Sequence, residues 1–219
     1  MTVLHDQIAK TLLPGLYIPQ SLDLLFSWIE DNGLFVDTDN GRIGFLFPEA
    51  RLKTEWTETE RPGGTLIRFF AEGNVNLKYW FGHERPEVLN RLCVFASTGA
   101  EGSMAAFWLD DNGQQRIVHL GSGSGSTLVC VLADDPVDFL RLLAIGYDEI
   151  CWNDVFSEPP NARHSEGELF IHPNLPYQNW VANTFSVTIP QTAMAIVKHP
   201  SEIGDTGSVD PFYRWIHNT

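Results

Sequence analysis

The stretch LCVFASTGAEGSMAAFWLDDNGQQRIVHLGSGSGSTLVCVLADDPVDFLRLLAIGYDEI, residues Leu92 to Ile150, holds the clearest alternating and helical patterns in the chain. Leu92 to Ala96 is a short apolar run. Met104 to Leu109 and Gln115 to Leu120 flank Asp110-Asp111-Asn112-Gly113, which reads as a hairpin. Asn112-Gly113 would supply the two positive-φ residues of a type I′ turn. Thr127 to Leu132 gives a further strand after a Gly/Ser run that holds no regular structure. The period then changes from two to 3.6. Asp135 is the expected N-cap, Pro136 takes the first helical position, and Val137, Leu140, Leu143 and Ala144 line one face before Gly146. Three or four antiparallel strands followed by a helix packed on them predict an α+β fold.

The chain's 219 residues, 43% hydrophobic and 12% aromatic, are enough to bury a full core. Its formal charge of −14, from 14 Lys plus Arg against 28 Asp plus Glu, would repel phosphate and attract a basic partner. Neither nucleic acid nor an anionic membrane is expected. Cys93, Cys130 and Cys151 are odd in number, and the first two lie in apolar strand patterns. They read as buried thiols in a reducing cytosol, not as a disulfide framework. No basic head followed by an apolar run opens the chain, and no window approaches the roughly 18 apolar residues of a span. A cytoplasmic protein is expected.

Outside the central stretch, Val3, Leu4, Ile8, Leu12 and Leu13 recur at helical spacing before Pro14-Gly15. Ser21 is the candidate N-cap of a second helix with Leu22, Leu25, Phe26 and Ile29 on one face, and Asn32-Gly33 ends it. Leu34 to Val36 and Arg42 to Phe47 predict a second hairpin, and Thr65 to Ala71 with Val75 to Phe81 a third, around Gly73-Asn74. Arg51 to Gly64 reads as an exposed connection, and the stretch from Pro159 to Glu168 as a linker or long loop. A short helix is expected over Tyr177 to Ala182, short segments over Phe185 to Ile189 and Thr192 to Val197, and a last helix capped by Asp210 with Phe212, Trp215 and Ile216 on one face. A single domain over residues 1–219 is expected, with the segment 159–219 packed on the rest.

The motifs that resemble catalytic ones have simpler readings. Gly121 to Thr127 looks like a phosphate cradle, but no Lys follows its last Gly and a strand rather than a helix comes next. Its serines also miss the third position of Gly-x-Ser-x-Gly. The seven histidines include no pair at i, i+4 and none beside Cys-x-x-Cys, and His119 reads as an exposed or hydrogen-bonded strand residue. Asp110, Asp111 and Asp135 are accounted for by turns and caps. No catalytic, cofactor-binding or metal-binding residue is therefore assigned. What stands out is an acidic run, Asp134, Asp135, Asp138, Asp148, Glu149, Asp154 and Glu158, with only Arg141 between them as a cation. Such a run is either a solvated face or a docking surface for a basic protein. Tyr147 and Trp152 lie among these acids, and Asp134, Asp148, Glu149, Trp152 and Asp154 are the candidate partner-binding residues.

Ile18-Pro19, a helix, then Asn32-Gly33 resemble the opening of the SUKH superfamily, which contains yeast cell-wall assembly regulators and many bacterial toxin-immunity proteins. The strand pair around Trp108 and Asn112-Gly113, the small-residue loop, and the helix entered through Asp134-Asp135-Pro136-Val137-Asp138-Phe139-Leu140 resemble its second half. The likeness covers residues 15–158; Gln20, Ser21 and Leu22 depart from the acidic residue and aromatic that often follow the family's opening Pro. It implies a central antiparallel sheet carrying helices, and a binding protein that inhibits a toxin, often a nuclease. The expectation is thus a non-enzymatic immunity protein with an acidic docking surface and no cofactor. Alternatives of other classes are an intracellular hydrolase, whose largest pocket would gather polar groups with shifted pKa values, and a regulatory scaffold.

Overall fold

The computed structural model describes residues 1–218. In chain order the elements are α1 (Val3–Ala9), α2 (Gln20–Asp31), β1 (Phe35–Thr38), β2 (Gly41–Phe45), α3 (Glu49–Glu55), β3 (Glu60–Pro62), β4 (Arg68–Gly73), α4 (Leu77–Phe81), α5 (Pro86–Leu89), β5 (Leu92–Ser97), β6 (Met104–Leu109), β7 (Gln115–Leu120), β8 (Val129–Ala133), α6 (Pro136–Ala144), β9 (Phe170–His172), α7 (Leu175–Phe185) and α8 (Pro211–Asn218). The fold is α+β. Seven strands form one antiparallel sheet in the order β1-β2-β4-β5-β6-β7-β8, and β3 pairs with β9 as a separate parallel pair.

The central strands are near-continuous apolar runs because both sheet faces are covered. Successive side chains point to opposite faces, and the burial follows that period. Cys93, Phe95, Phe107, Ile117, Cys130 and Leu132 join one core with Leu4 and Ile8 of α1, Phe26 and Ile29 of α2, Phe139 and Leu140 of α6, and Tyr177 and Val181 of α7. Leu92, Val94, Ala106, Trp108, Val118, Val129 and Val131 join a second with Leu77 of α4, Val88 of α5, and Phe212, Tyr213 and Trp215 of α8. The segment 159–219 thus contributes to both cores. No helix among the described residues is long and apolar enough to cross a membrane.

Asp210 is 1% exposed and does two jobs. One carboxylate oxygen accepts from Tyr213 N at 2.8 Å, capping α8, and the other from Val131 N at 2.9 Å on β8. Since β8 is a sheet edge, its amides need such partners; Val129 N donates to Ser201 O at 2.7 Å for the same reason.

Several local expectations are corrected. The β6–β7 connection is not type I′: Gly113 has φ +75°, whereas Asn112 is not among the positive-φ residues. Gly113 N donates to Asp110 O and Asp110 N to Gln114 O, the three-residue loop that closes on one left-handed glycine. Asp110 Oδ1 accepts from the amides of Asn112 and Gln114, both at 2.9 Å, which stabilises that loop. The expected strand from Val75 to Phe81 is helix α4. Leu77 is buried and Trp80 and Phe81 are packed, an i, i+3, i+4 set, while Val75 and Tyr79 are 69% and 76% exposed. Arg51 to Gly64 is not a bare connection, since it carries the end of α3 and β3, whose partner β9 lies far along the chain. The cap of α2 is Pro19, and Ser21 is buried inside the helix.

His119, on β7, is fully buried rather than exposed. Its Nδ1 faces the carbonyl of Leu128 at 2.8 Å and therefore carries the proton, leaving Nε2 to accept from Thr98 Oγ1 at 2.9 Å. Burial holds its pKa down at about 4, against an ordinary 6.5. A folded-state pKa below the unfolded one favours folding above the unfolded value, and that contribution is lost as pH falls through the folded one. Wild-type stability should lose about 3 kcal/mol from this group between pH 6.5 and 4. Asp148 and Asp210, pushed up by burial, have the opposite slope, so the test is the difference from His119→Gln in urea midpoints across that range. The variant should lack this component; parallel pH profiles would refute it.

Candidate functional site

Antiparallel connection places the β5–β6 turn (98–103) and the Gly/Ser loop (121–128) at the same end of the sheet, and the segment following α6 lands there. Gly146, at φ +105°, ends the run out of α6. Ile150 N then donates to Thr98 O at 2.9 Å, and Ser126 Oγ donates to Cys151 O at 2.5 Å. From the other side Gly64 N donates to Tyr147 O at 2.8 Å. Tyr147 Oη donates to Glu158 O at 2.6 Å and accepts from Ala193 N at 3.1 Å. Residues 147–152 are therefore sewn to the chain at Gly64, Thr98, Ser126, Glu158 and Ala193.

This placement changes the reading of the acidic run. Asp148 is committed within the fold: its side chain is 9% exposed, ion-paired with Arg61 and bonded to the amide and hydroxyl of Thr65. Burial pushes its carboxyl above the ordinary value although Thr65 and Arg61 pull it down. Asp134 pairs with Arg116 at 3.0 Å and Lys198 at 2.7 Å, and lines a different hollow with His199 and Asp210. Asp138 pairs with Arg141, and Arg163 bridges Asp154 and Glu158, both at 2.9 Å. Asp135 caps α6 through Val137 N. Cations thus neutralise most of the run, Asp138, Asp154 and Glu158 through near neighbours and Asp134 and Asp148 through residues brought in by folding. Glu149 is different: it accepts from Trp152 Nε1 and from Ala100 N at 3.2 Å, with no ion pair among the described residues.

Of the five candidates, Asp148, Glu149 and Trp152 come together at one cleft of about 290 Å³, with Arg163, His164 and Glu168 across it. Asp154 reaches it only through Arg163, and Asp134 does not line it. Trp152 is 38% exposed, its ring anchored through Nε1 to Glu149. Glu149, Glu158 and Glu168 outnumber the one arginine in the lining once Asp148 is paired with Arg61. The lining's polar groups are otherwise committed to holding the corner: Arg163 to two acids, Asn161 to the amide and carbonyl of Ile171 at 2.8 and 2.7 Å.

Behind Trp152, Glu101, Glu149 and Cys151 bring a carboxylate oxygen each and a thiol sulfur within 4.8 Å of one another. Burial, then the two glutamates, push the Cys151 thiol far up. Glu101, Arg163 and Glu168 were missed from sequence. The nearest signal for the first was Glu149-x-Cys151, which names only two of the three partners.

No family model, curated protein or solved structure matches the chain.

The two acids separate by experiment. Asp148→Ala removes the buried acid of a part-buried pair and the acceptor of Thr65, so urea unfolding should show a loss of about 2 kcal/mol or more. Asp154→Ala breaks an exposed pair and should cost less than about 1 kcal/mol. Equal effects would contradict the distinction drawn between them.

Proposed function

We propose that the chain is a non-enzymatic, cytoplasmic binding protein of the SUKH type, an immunity protein that neutralises a basic, nuclease-type toxin. The observation that carries this reading is Trp152, half-exposed and pinned by Glu149 at a cleft with more acid than base. An aromatic face beside unneutralised carboxylates is a receptor for a lysine or arginine side chain, through cation–π attraction and charge pairing together. The docking surface is therefore narrower than the acidic run: Trp152, Glu149 and Glu168 supply it, with Asp154 and Glu158 at its rim through Arg163. Its polar groups hold one another, which fits a preformed surface more closely than a reaction centre. The likeness to SUKH proteins rests on the sequence patterns and the antiparallel sheet with helices.

The test is co-purification with the products of neighbouring genes, followed by kinetics on the complex. A basic protein should bind, and a nuclease activity in it should be inhibited. Asp154→Lys with Glu168→Lys, both exposed, should lower the association rate roughly tenfold at low salt while leaving the urea midpoint near wild type. Trp152→Ala should act mainly on dissociation. Unchanged rates in both variants, or an acidic partner, would overturn the proposal.

A further inference from the structure

Gly99 stands where three donors converge. A Cβ built on it would lie 2.5 Å from Glu101 Oε2, 2.6 Å from Cys151 Sγ and 3.1 Å from Glu149 Oε2. Any side chain there would clash with all three, so only glycine lets two carboxylate oxygens and one sulfur converge at this point. The glutamates are oriented by their other contacts. Ser103 Oγ donates to Glu101 Oε1 and Trp152 Nε1 to Glu149 Oε1, which leaves the two Oε2 atoms facing Gly99. These take only the longer bonds from Ser103 N at 3.4 Å and Ala100 N at 3.2 Å.

Two further facts bear on what these three groups accept. Among the described residues, neither glutamate forms an ion pair with Lys, Arg or His. Two carboxylates therefore come within 4.8 Å of each other and of the Cys151 sulfur without a cationic side chain between them. Cys151 is 1% exposed, and its thiol, directed at Gly99, bonds to no residue outside the trio among the described residues. Its carbonyl, by contrast, is held by Ser126 Oγ, so the backbone that aims the thiol is fixed.

We propose that Glu101, Glu149 and Cys151 form a binding site for a zinc-type divalent cation, with three protein ligands and a fourth position left to water or a partner. The donor set selects the ion. A thiolate sulfur favours zinc and its congeners, whereas magnesium and calcium take oxygen ligands only. The hydrogen bonds from Ser103 and Trp152 supply the outer-shell orientation that ligating carboxylates need. On coordination the thiol proton leaves to solvent and the ion offsets the two carboxylates. The site bridges the β5–β6 turn and the segment after α6, so an ion would cross-link them. It shares Glu149 with the proposed docking cleft, but it is read without any partner, and Glu101 and Cys151 do not line that cleft.

The test uses the full chain, chelator-treated and titrated with Co²⁺ and then Zn²⁺. One equivalent of Co²⁺ should produce a thiolate-to-cobalt charge-transfer band that Zn²⁺ removes, and Zn²⁺ but not Mg²⁺ should raise the melting temperature saturably. The band should persist when Cys93 and Cys130 are replaced by Ala and vanish in Cys151→Ser. Glu101→Gln with Glu149→Gln should weaken Zn²⁺ binding about tenfold or more. In case those variants do not fold, wild-type protein in partly denaturing urea supplies the second readout, with alkylation mapped by mass spectrometry. Zn²⁺ should shield Cys151 selectively. A wild type with no saturable band, a band retained in folded Cys151→Ser, or shielding of Cys93 or Cys130 instead would overturn the site.

Discussion

Burial of both faces of one antiparallel sheet is the constraint on which the rest of this molecule depends. Strands β5 to β8 are apolar at odd and even positions alike, so neither face can be left to water. One face carries α1, α2, α6 and α7; the other is covered by α4, α5 and α8. On that second face Trp108 packs against Phe212 and Trp215, with ring centroids 5.1 and 5.4 Å apart, and Asp210 fixes α8 to the edge strand from which it hangs. The chain's last helix is therefore part of the core.

The same topology builds the functional corner. An antiparallel meander delivers alternate turns to one end of the sheet, so 98–103 and 121–128 are neighbours whatever their sequences. The segment after α6 then docks between them through Ile150 and Cys151, while Asp148 ties it to Thr65 and Arg61. Electrostatics follows from that docking. A chain with a net charge of −14 still neutralises most of its acidic run, because folding brings Arg61, Arg116, Arg163 and Lys198 to it. The carboxylates left without a cation at Glu101 and Glu149 are consequently more informative than the length of the run.

What sequence made legible was local. The β6–β7 hairpin, β8, the Asp135 cap of α6 and the Asp210 cap of α8 each lie within a few residues of the signal that specifies them. Where the signal was local but misread, the period was the cause: Tyr79, Trp80 and Phe81 suggest a strand by composition, yet Leu77, Trp80 and Phe81 are spaced for a helix face. Other features had no local signal at all. β3 becomes a strand only because β9 reaches it from beyond residue 169, and Asp148 becomes a buried structural acid only because Arg61 and Thr65 lie 87 and 83 residues upstream. For the site, Glu149 and Trp152 could be picked out as acid beside aromatic, whereas Glu101 could not, since its approach to Glu149 and Cys151 exists only in the folded chain.

The central claim is that residues 147–152 belong to the sheet's cooperative unit and are not a pendant acidic face. Native-state hydrogen exchange on the amides of Ile150 and Gly64, bonded to Thr98 O and Tyr147 O, addresses it most directly. The expected result is exchange of both only through global unfolding, with the same opening free energy and denaturant dependence as the β6–β7 ladder. Exchange of either amide through local opening, orders of magnitude faster than that ladder and insensitive to denaturant, would contradict the account.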